Sequence, residues 1–129
     1  ACDARIEGNA VVGRGFISMN GQQVFKLAVS SLTESFNEVC GMAGIAPSDV
    51  DVWVPHQANI RIIEMIAHRL GLSKEKTVVT VNLHGNTSAA SVPLALDYAV
   101  TTGRIARGNT VMLQGVGAGM AWGSVLLRW

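Results

Sequence analysis

Residues 52–59 read Val52-Trp53-Val54-Pro55-His56-Gln57-Ala58-Asn59, and they set the expectation for the whole chain. An apolar strand runs into a proline, and apolar residues then recur at three- and four-residue spacing, which predicts a helix. His56 therefore falls at the carboxyl end of a strand, where open α/β sheets bind their ligands. The positive end of a helix opening near Gln57 would favour a neutral imidazole. A lone histidine at a strand end is more often structural, so a catalytic role needs a second motif.

Hydrophobic periodicity on either side predicts alternating helices and strands. Residues 1–20 are glycine-dotted and are expected to form a loop or loosely paired extension, followed by a domain over 21–129. The order α-β-α-β-α-β-β implies an α/β fold in which helices cover a mixed β-sheet. The predicted elements are a helix from Gly21 that Gly41 and Gly44 end, a strand at 50–54, a helix at 57–70, a strand at 77–81, a helix from about 88 to 100 that Pro93 delays or kinks, a strand at 111–113, a glycine turn at 115–119 and a last strand at 122–127.

Composition limits the classes of function. Of 129 residues, 49% are hydrophobic and only 15% are charged, so we expect a large face to be buried against another half or subunit. No apolar run approaches the ~20 residues that span a bilayer, which predicts no membrane segment. A net charge of +1 gives no general attraction to nucleic acid. The absence of a signal peptide and of a disulfide framework predicts a reducing compartment, the cytoplasm.

A second motif lies about thirty positions after the first and reads His84-Gly85-Asn86-Thr87-Ser88-Ala89-Ala90-Ser91. Asparagine, threonine and serine ahead of a helix are ordinary N-cap residues. Gly85 also lets the backbone turn sharply, which can aim the Asn86 amide outward. We expect His84 to be structural.

Together, the two motifs closely resemble the β-ketoacyl-[acyl-carrier-protein] synthase III family of the thiolase superfamily, from about Met19 to Trp129. The resemblance implies a thiolase-like half-domain and an acyltransferase that starts fatty acid synthesis by decarboxylative Claisen condensation. It implies a Cys-His-Asn triad in which His56 and Asn86 hold the thioester oxygen of malonyl-carrier protein. Neutral N–H donors of this kind stabilise an enolate oxygen, as in an oxyanion hole.

The same resemblance implies further site residues. The turn at 115–119 does not fit a dinucleotide fingerprint, because Met120 stands at the third glycine position, and a simple hairpin is the plainest interpretation. By resemblance, the Ala118 N–H would hold the acyl-enzyme carbonyl. The pantetheine tunnel would be lined by Gly21, Phe25, Ala58 and Asn59, and acyl carrier protein would bind Lys26, Arg61 and Arg69.

The nucleophilic cysteine of the triad has no counterpart in this sequence. Neither Cys2 nor Cys40 lies on the expected strand-to-helix elbow, so both are interpreted as incidental thiols. The chain also begins with alanine, and it is therefore expected to be a processed or truncated C-terminal half that is inactive without its N-terminal half. The complete enzyme is expected to be a homodimer that uses acyl-CoA and malonyl-carrier protein without a cofactor or metal. Two alternatives stay open, namely a non-catalytic carrier-protein- or CoA-binding module and a structural fragment that completes another chain.

Overall fold

The computed structural model describes residues 5–13 and 20–129. A mixed sheet forms its centre, with strand order β3-β4-β5. Strands β3 and β4 are parallel, and β4 and β5 are antiparallel. The elements are β1 (Arg5–Glu7), β2 (Ala10–Val12), α1 (Gly21–Ala43), β3 (Val52–Pro55), α2 (Ile60–Leu70), α3 (Val81–His84), α4 (Ser91–Thr101), β4 (Thr110–Gly117) and β5 (Ala121–Arg128), with short 3-10 turns at Pro47–Asp49 and Ser88–Ala90.

The sheet carries a hydrophobic core on each face, because successive side chains of a strand point to opposite sides. Trp53 of β3 and Met112 of β4 pack with α1 and α2. On the other face, Val54 and Val111 pack with α4. Phe36 meets Trp53 edge to face at a ring-centroid distance of 6.3 Å. The predicted mixed sheet covered by helices is therefore confirmed.

Helix α1 begins and ends with clear caps. The Asn20 side chain accepts a hydrogen bond from the Gln23 N–H at 3.2 Å, and Gly44 closes the helix in the left-handed conformation with φ 69°. The prediction that Gly44 ends the helix is confirmed. The prediction for Gly41 is wrong, because the helix continues through it to Ala43. Glycine costs a helix interior some stability, but it does not by itself stop a helix.

Helix α2 begins at Ile60, three residues after the predicted start at Gln57. Asn59 is the N-cap, with extended backbone and a side chain that accepts from the Arg61 N–H at 2.9 Å. Gln57 lies ahead of this cap, and its side chain is buried in contacts with the segment around Val78. His56 consequently lies four positions ahead of the helix, and the expected effect of the helix terminus on its charge does not apply.

The strand predicted at 77–81 is wrong. Only Thr77 forms a bridge, in parallel with Trp53. The Val78 N–H donates to the Trp53 carbonyl at 2.9 Å, and pairing between the two backbones then stops. The β-branched residues do fit extended backbone. However, the Gln57 side chain takes the place of the next strand partner, and the chain turns into α3 at Val81.

The last third of the domain follows the predicted order. Pro93 is the third residue of α4, which starts at Ser91 after a 3-10 turn, so the late start is confirmed. A proline in the first helical turn removes no internal hydrogen bond. The predicted bounds of the strand at 111–113 and the glycine turn at 115–119 are wrong, because Gly115 and Gly117 belong to β4 and the reversal into β5 uses Ala118, Gly119 and Met120. Within the described residues, no helix is both long enough and apolar enough to cross a membrane.

Candidate active site

An open cavity of about 1190 Å³ lies where the carboxyl end of β3 meets the loop before α4 and the β4–β5 hairpin. The first turns of α1 close its remaining side. His56, Asn86 and Ala118 all line it, so the two sequence motifs and the glycine hairpin meet at one place. The other lining residues include Asn20, Gln23, Val24, Leu27, Ala58, Ile62, Ser88, Ala89 and Val92.

His56 is held by its backbone and its ring. Its N–H donates to the Gln114 carbonyl at 2.7 Å, which continues the β3–β4 pairing by one residue. Its Nδ1 is hydrogen-bonded to the hydroxyl of Ser91, a residue that is itself buried. That hydroxyl also accepts the Gln57 N–H at 3.3 Å, so its own hydrogen is available to Nδ1. We infer the tautomer in which Ser91 donates to Nδ1 and the ring hydrogen is on Nε2.

Burial lowers the pKa of His56 below its ordinary value, because desolvation penalises the imidazolium form. The sequence predicted a neutral imidazole from the helix terminus, whereas the structure gives the same state through burial. A neutral ring with its hydrogen on Nε2 is a donor at the one nitrogen that Ser91 leaves free. At neutral pH, His56 is therefore already an uncharged ring that can donate a hydrogen bond from Nε2.

Asn86 is oriented by its own loop. Its Oδ1 accepts a hydrogen bond from the Ser88 N–H at 2.9 Å, and no hydrogen bond found among residues 5–13 and 20–129 uses its two Nδ2 hydrogens. The preceding Gly85 has φ 66° and ψ −161°, a conformation that is almost restricted to glycine. The expectation that glycine sets the turn before Asn86 is confirmed. The loop thus presents the donor half of the amide.

The β4–β5 hairpin adds a backbone group to the same cavity. Ala118 is exposed in the three-residue reversal, and Gly119 and Met120 both take positive φ values of 76° and 53°. Among the loop and turn hydrogen bonds of the described residues, none uses the Ala118 N–H. Three neutral N–H donors therefore border one space, an arrangement suited to stabilising negative charge that develops on an oxygen.

The remaining predicted site residues lie at varying distances from this space. Ala58 lines the cavity, and Gly21 is the first residue of α1, next to the lining residue Asn20. Phe25 packs against the core between the sheet and α1, and Asn59 caps α2, so neither is a lining residue. The three predicted carrier-protein residues are all exposed. Lys26 lies on α1, Arg61 in the first turn of α2, and Arg69 near the end of α2.

Sequence reasoning missed two polar residues behind the site. Ser91 is the last residue of the second motif, but nothing in the motif predicts its bond to His56. The sequence pattern places Gln57 at the start of a helix, whereas the residue is 1% exposed and bonded to four backbone groups. A glutamine between a buried strand and a helix gives no sequence signal that distinguishes these outcomes.

Cys40 does not belong to the cavity. It is buried in the core on α1, and burial, followed by the charge of Asp49, raises the pKa of its thiol. A thiol in that state is a poor nucleophile. Cys2 lies outside the described residues. The interpretation of Cys40 as an incidental thiol agrees with its position.

Comparison with known proteins identifies the family. A model of the family "3-Oxoacyl-[acyl-carrier-protein (ACP)] synthase III C terminal" matches residues 40–129. The chain is 54% identical over 115 residues to a β-ketoacyl-[acyl-carrier-protein] synthase III of Chelativorans sp. (strain BNC1), covering 89% of this chain and 36% of that protein. It is also 54% identical over 112 residues to the enzyme of the same name from Coxiella burnetii (strain RSA 493 / Nine Mile phase I), covering 87% of this chain and 35% of that protein.

Solved structures give the same result. The 3-oxoacyl-[acyl-carrier-protein] synthase III of Aquifex aeolicus VF5 superposes with a TM-score of 0.87 at 45% identity, covering 89% of this chain and 37% of the other. The β-ketoacyl-[acyl-carrier-protein] synthase III of Thermus thermophilus superposes with a TM-score of 0.89 at 43% identity, covering 100% of this chain and 40% of the other.

The fold and its cavity thus define a thiolase-like α/β half-domain. The chain belongs to the 3-oxoacyl-[acyl-carrier-protein] synthase III C-terminal family. It spans little more than a third of the length of the two curated relatives, at 36% and 35%.

Proposed function

We propose that this chain forms the malonyl-decarboxylating side of a 3-oxoacyl-[acyl-carrier-protein] synthase III, with His56 and Asn86 as the histidine and asparagine of a Cys-His-Asn triad. The observation that carries the proposal is that both residues line one cavity while their internal hydrogen bonds leave donor groups free. The nucleophilic cysteine would come from the part of the protein that this chain lacks. The isolated chain is therefore proposed to be inactive in condensation.

The chemistry follows from where the donors lie. When the malonyl thioester loses carbon dioxide, the electron pair of the broken C–C bond moves into an enolate whose negative charge rests on the thioester oxygen. The His56 Nε2–H and an Asn86 Nδ2–H donate to that oxygen. The enolate carbon then attacks the carbonyl carbon of the acyl thioester on the cysteine. The carbonyl oxygen of that acyl thioester accepts a hydrogen bond from the Ala118 N–H. The new C–C bond replaces the C–S bond, and the cysteine leaves as a thiolate. Each such preorganised donor is worth roughly 3–4 kcal/mol in comparable sites.

The proposed substrates are acyl-CoA and malonyl-carrier protein, without a cofactor or metal. The carrier protein is acidic in this proposal and binds Lys26, Arg61 and Arg69. Among residues 5–13 and 20–129 the ion pair found is Arg5–Glu7, so these three cations are available to a partner's carboxylates. Gly21, Phe25, Ala58 and Asn59 are proposed to border the pantetheine arm, and the complete protein is proposed to be a cytoplasmic homodimer.

Half-reactions of the full-length protein test the roles of the pair. His56→Ala and Asn86→Ala should each lower malonyl-carrier-protein decarboxylation by about 100-fold or more, since each removes one donor. Acyl transfer from acyl-CoA to the enzyme should change far less. The matched controls are His84→Ala and Asn82→Ala, two exposed positions on α3. Equal loss of both half-reactions would contradict the assigned roles.

The isolated chain is tested separately. It should form no ketoacyl product alone, and product should appear when the cysteine-bearing remainder is added in trans. Turnover by the isolated chain would refute its proposed inactivity. Carrier-protein binding by a full-length protein that performs neither half-reaction would instead identify a non-catalytic binding module.

A further inference from the structure

The Gln57 side chain is the most completely hydrogen-bonded polar group near the site. Its amide uses its full capacity, since a carboxamide has two hydrogens and accepts two hydrogen bonds. Nε2 donates to the carbonyls of Pro55 at 2.9 Å and Val78 at 3.1 Å. Oε1 accepts the N–H groups of Thr80 at 2.8 Å and Val81 at 3.0 Å. The residue is 1% exposed, so none of these bonds is shared with bulk water.

The four partners belong to the two segments that carry the donor pair. Pro55 is the last residue of β3 and immediately precedes His56. Thr80 and Val81 open α3, whose end at His84 leads through Gly85 into Asn86. The amide thus joins the backbone beside His56 to the segment that delivers Asn86.

Backbone pairing does not make this connection. The β3 backbone bonds to residues 76–78 only at Trp53, through Lys76 at 2.7 Å and Val78 at 2.9 Å. Beyond Val78, the hydrogen bonds that tie residues 79–85 to the end of β3, within the described part of the chain, all run through the Gln57 Oε1. Ser91 bonds to His56 and Gln57 on the far side of Asn86. Among the described residues, one side chain therefore supplies the hydrogen bonds between the end of β3 and the approach to Asn86.

We propose that Gln57 is a positioning residue that sets the separation of the His56 and Asn86 donors, and that it thereby supports decarboxylation selectively. This inference rests on the proposed function of the pair. Gln57 lies behind both donors and does not line the cavity, so it acts through them. Displacing one donor by about 1 Å is enough to cost ~100-fold in rate when the geometry of a site is preorganised.

The amide cannot be replaced by its closest isostere. In Gln57→Glu, one carboxyl oxygen still accepts from Thr80 and Val81, but the other takes the place of Nε2 and faces the carbonyls of Pro55 and Val78. Burial favours the protonated carboxyl, which has one hydrogen for these two carbonyls where the amide has two. The end of β3 and the approach to Asn86 are then pushed apart. Gln57→Asn keeps both halves of the amide and withdraws them by one methylene, so it stretches the same bonds without reversing any.

The experiment measures both half-reactions and the thermal midpoint of the full-length protein. Gln57→Glu is expected to lower the decarboxylation kcat by about 100-fold, with the KM for malonyl-carrier protein and the rate of acyl transfer each changed by less than about threefold. Gln57→Asn should show the same split with a smaller loss. The matched control is Gln114→Glu, an equally buried glutamine whose side chain bonds to Trp53, Leu32 and Ser124. His56 is bonded to the Gln114 backbone carbonyl, which the substitution keeps, so Gln114→Glu should lower the thermal midpoint without separating the half-reactions.

A parallel loss of both half-reactions in Gln57→Asn and Gln57→Glu would reduce Gln57 to a general stability role and overturn the inference, as would no loss in either variant. If Gln57→Glu does not fold, the split in Gln57→Asn still decides. His56→Ala and Asn86→Ala in the same assay test the underlying function, because selective loss in those two variants without selective loss at Gln57 removes only the inference about Gln57.

Discussion

Gly85 shows most directly how one residue shapes the site. Its φ of 66° and ψ of −161° are strained for any side chain, although a Cβ there would meet no atom within 4 Å. Gly85→Ala is therefore expected to cost about 1–3 kcal/mol of unfolding free energy through backbone strain alone. It should also lower decarboxylation, because the strain relaxes by moving Asn86. Chemical denaturation and the decarboxylation assay on the full-length protein measure the two effects.

Gly41 provides the matched control for that substitution. A Cβ at this position would also meet open space, but Gly41 lies inside α1 with ordinary helical backbone. Gly41→Ala is expected to stabilise the protein by roughly 0.5–1 kcal/mol, because alanine loses less backbone freedom on folding. If both alanines changed stability alike, backbone conformation would not be the reason for glycine at position 85.

The positions of His56 and Asn86 at one cavity were predictable, whereas the residues that support them were not. His56 and Asn86 follow from two local motifs, and both line the same cavity. Ser91 and Gln57 act across 35 and 21 positions, and a hydrogen bond between distant segments leaves no mark on either segment alone. The neutral imidazole was expected for the wrong reason, because burial and not a helix terminus lowers the pKa of His56.

At the scale of elements, secondary-structure propensity predicted helices and strands correctly where backbone hydrogen bonds form them. It was wrong where a side chain takes the place of a backbone partner. The helix predicted from Gly21 and the late start caused by Pro93 depend on local geometry, and both are present. The segment 77–81 has a strand's composition but lacks a strand's partner beyond Val78, because the Gln57 amide occupies that position. Tertiary contacts override β-propensity in such cases.

The start of α2 allows a test that separates stability from binding. Asn59 caps the helix by accepting the Arg61 N–H at 2.9 Å, and it is also predicted to border the pantetheine arm. Asn59→Ala should lower the unfolding free energy by about 1 kcal/mol, since a capping side chain is lost. Asn59→Ser keeps a capping oxygen and should restore most of that stability. Denaturant unfolding together with the KM for acyl-CoA distinguishes the two roles.

In Asn59→Ser, the unfolding free energy and the KM for acyl-CoA are expected to change differently. If Asn59 contacts substrate, Asn59→Ser recovers stability but keeps a raised KM, because its side chain is shorter and lacks the amide. If capping is its whole role, stability and KM recover together. A serine variant as unstable as the alanine variant would contradict the capping assignment.

For the whole molecule, the apolar composition corresponds to apolar surface that the described residues leave uncovered. Val125 of β5 is 57% exposed and lies opposite Leu113, on the face of the sheet that packs with α4. Leu94 of α4 is 40% exposed, whereas Trp122, 47% exposed, lies opposite Val116 on the other face of the sheet. Single exposed apolar residues are ordinary, but exposed apolar residues on neighbouring elements of one face, such as Val125 and Leu94, are typical of a surface that a partner covers. The sequence predicted that such a face exists, yet it could not say which elements form it.

Val125→Lys tests whether this face meets the remainder of the proposed enzyme. In the isolated chain the substitution should change the unfolding free energy by no more than about 0.5 kcal/mol, because the side chain is already largely in water. Association with the separately produced remainder should weaken by about tenfold or more, since an unpaired ammonium would have to be buried. Calorimetric titration of one part with the other measures the change. Met42→Lys is the control, because Met42 is 82% exposed near the end of α1. Equal weakening by both lysines would show that charge alone, and not the β5 face, governs the association.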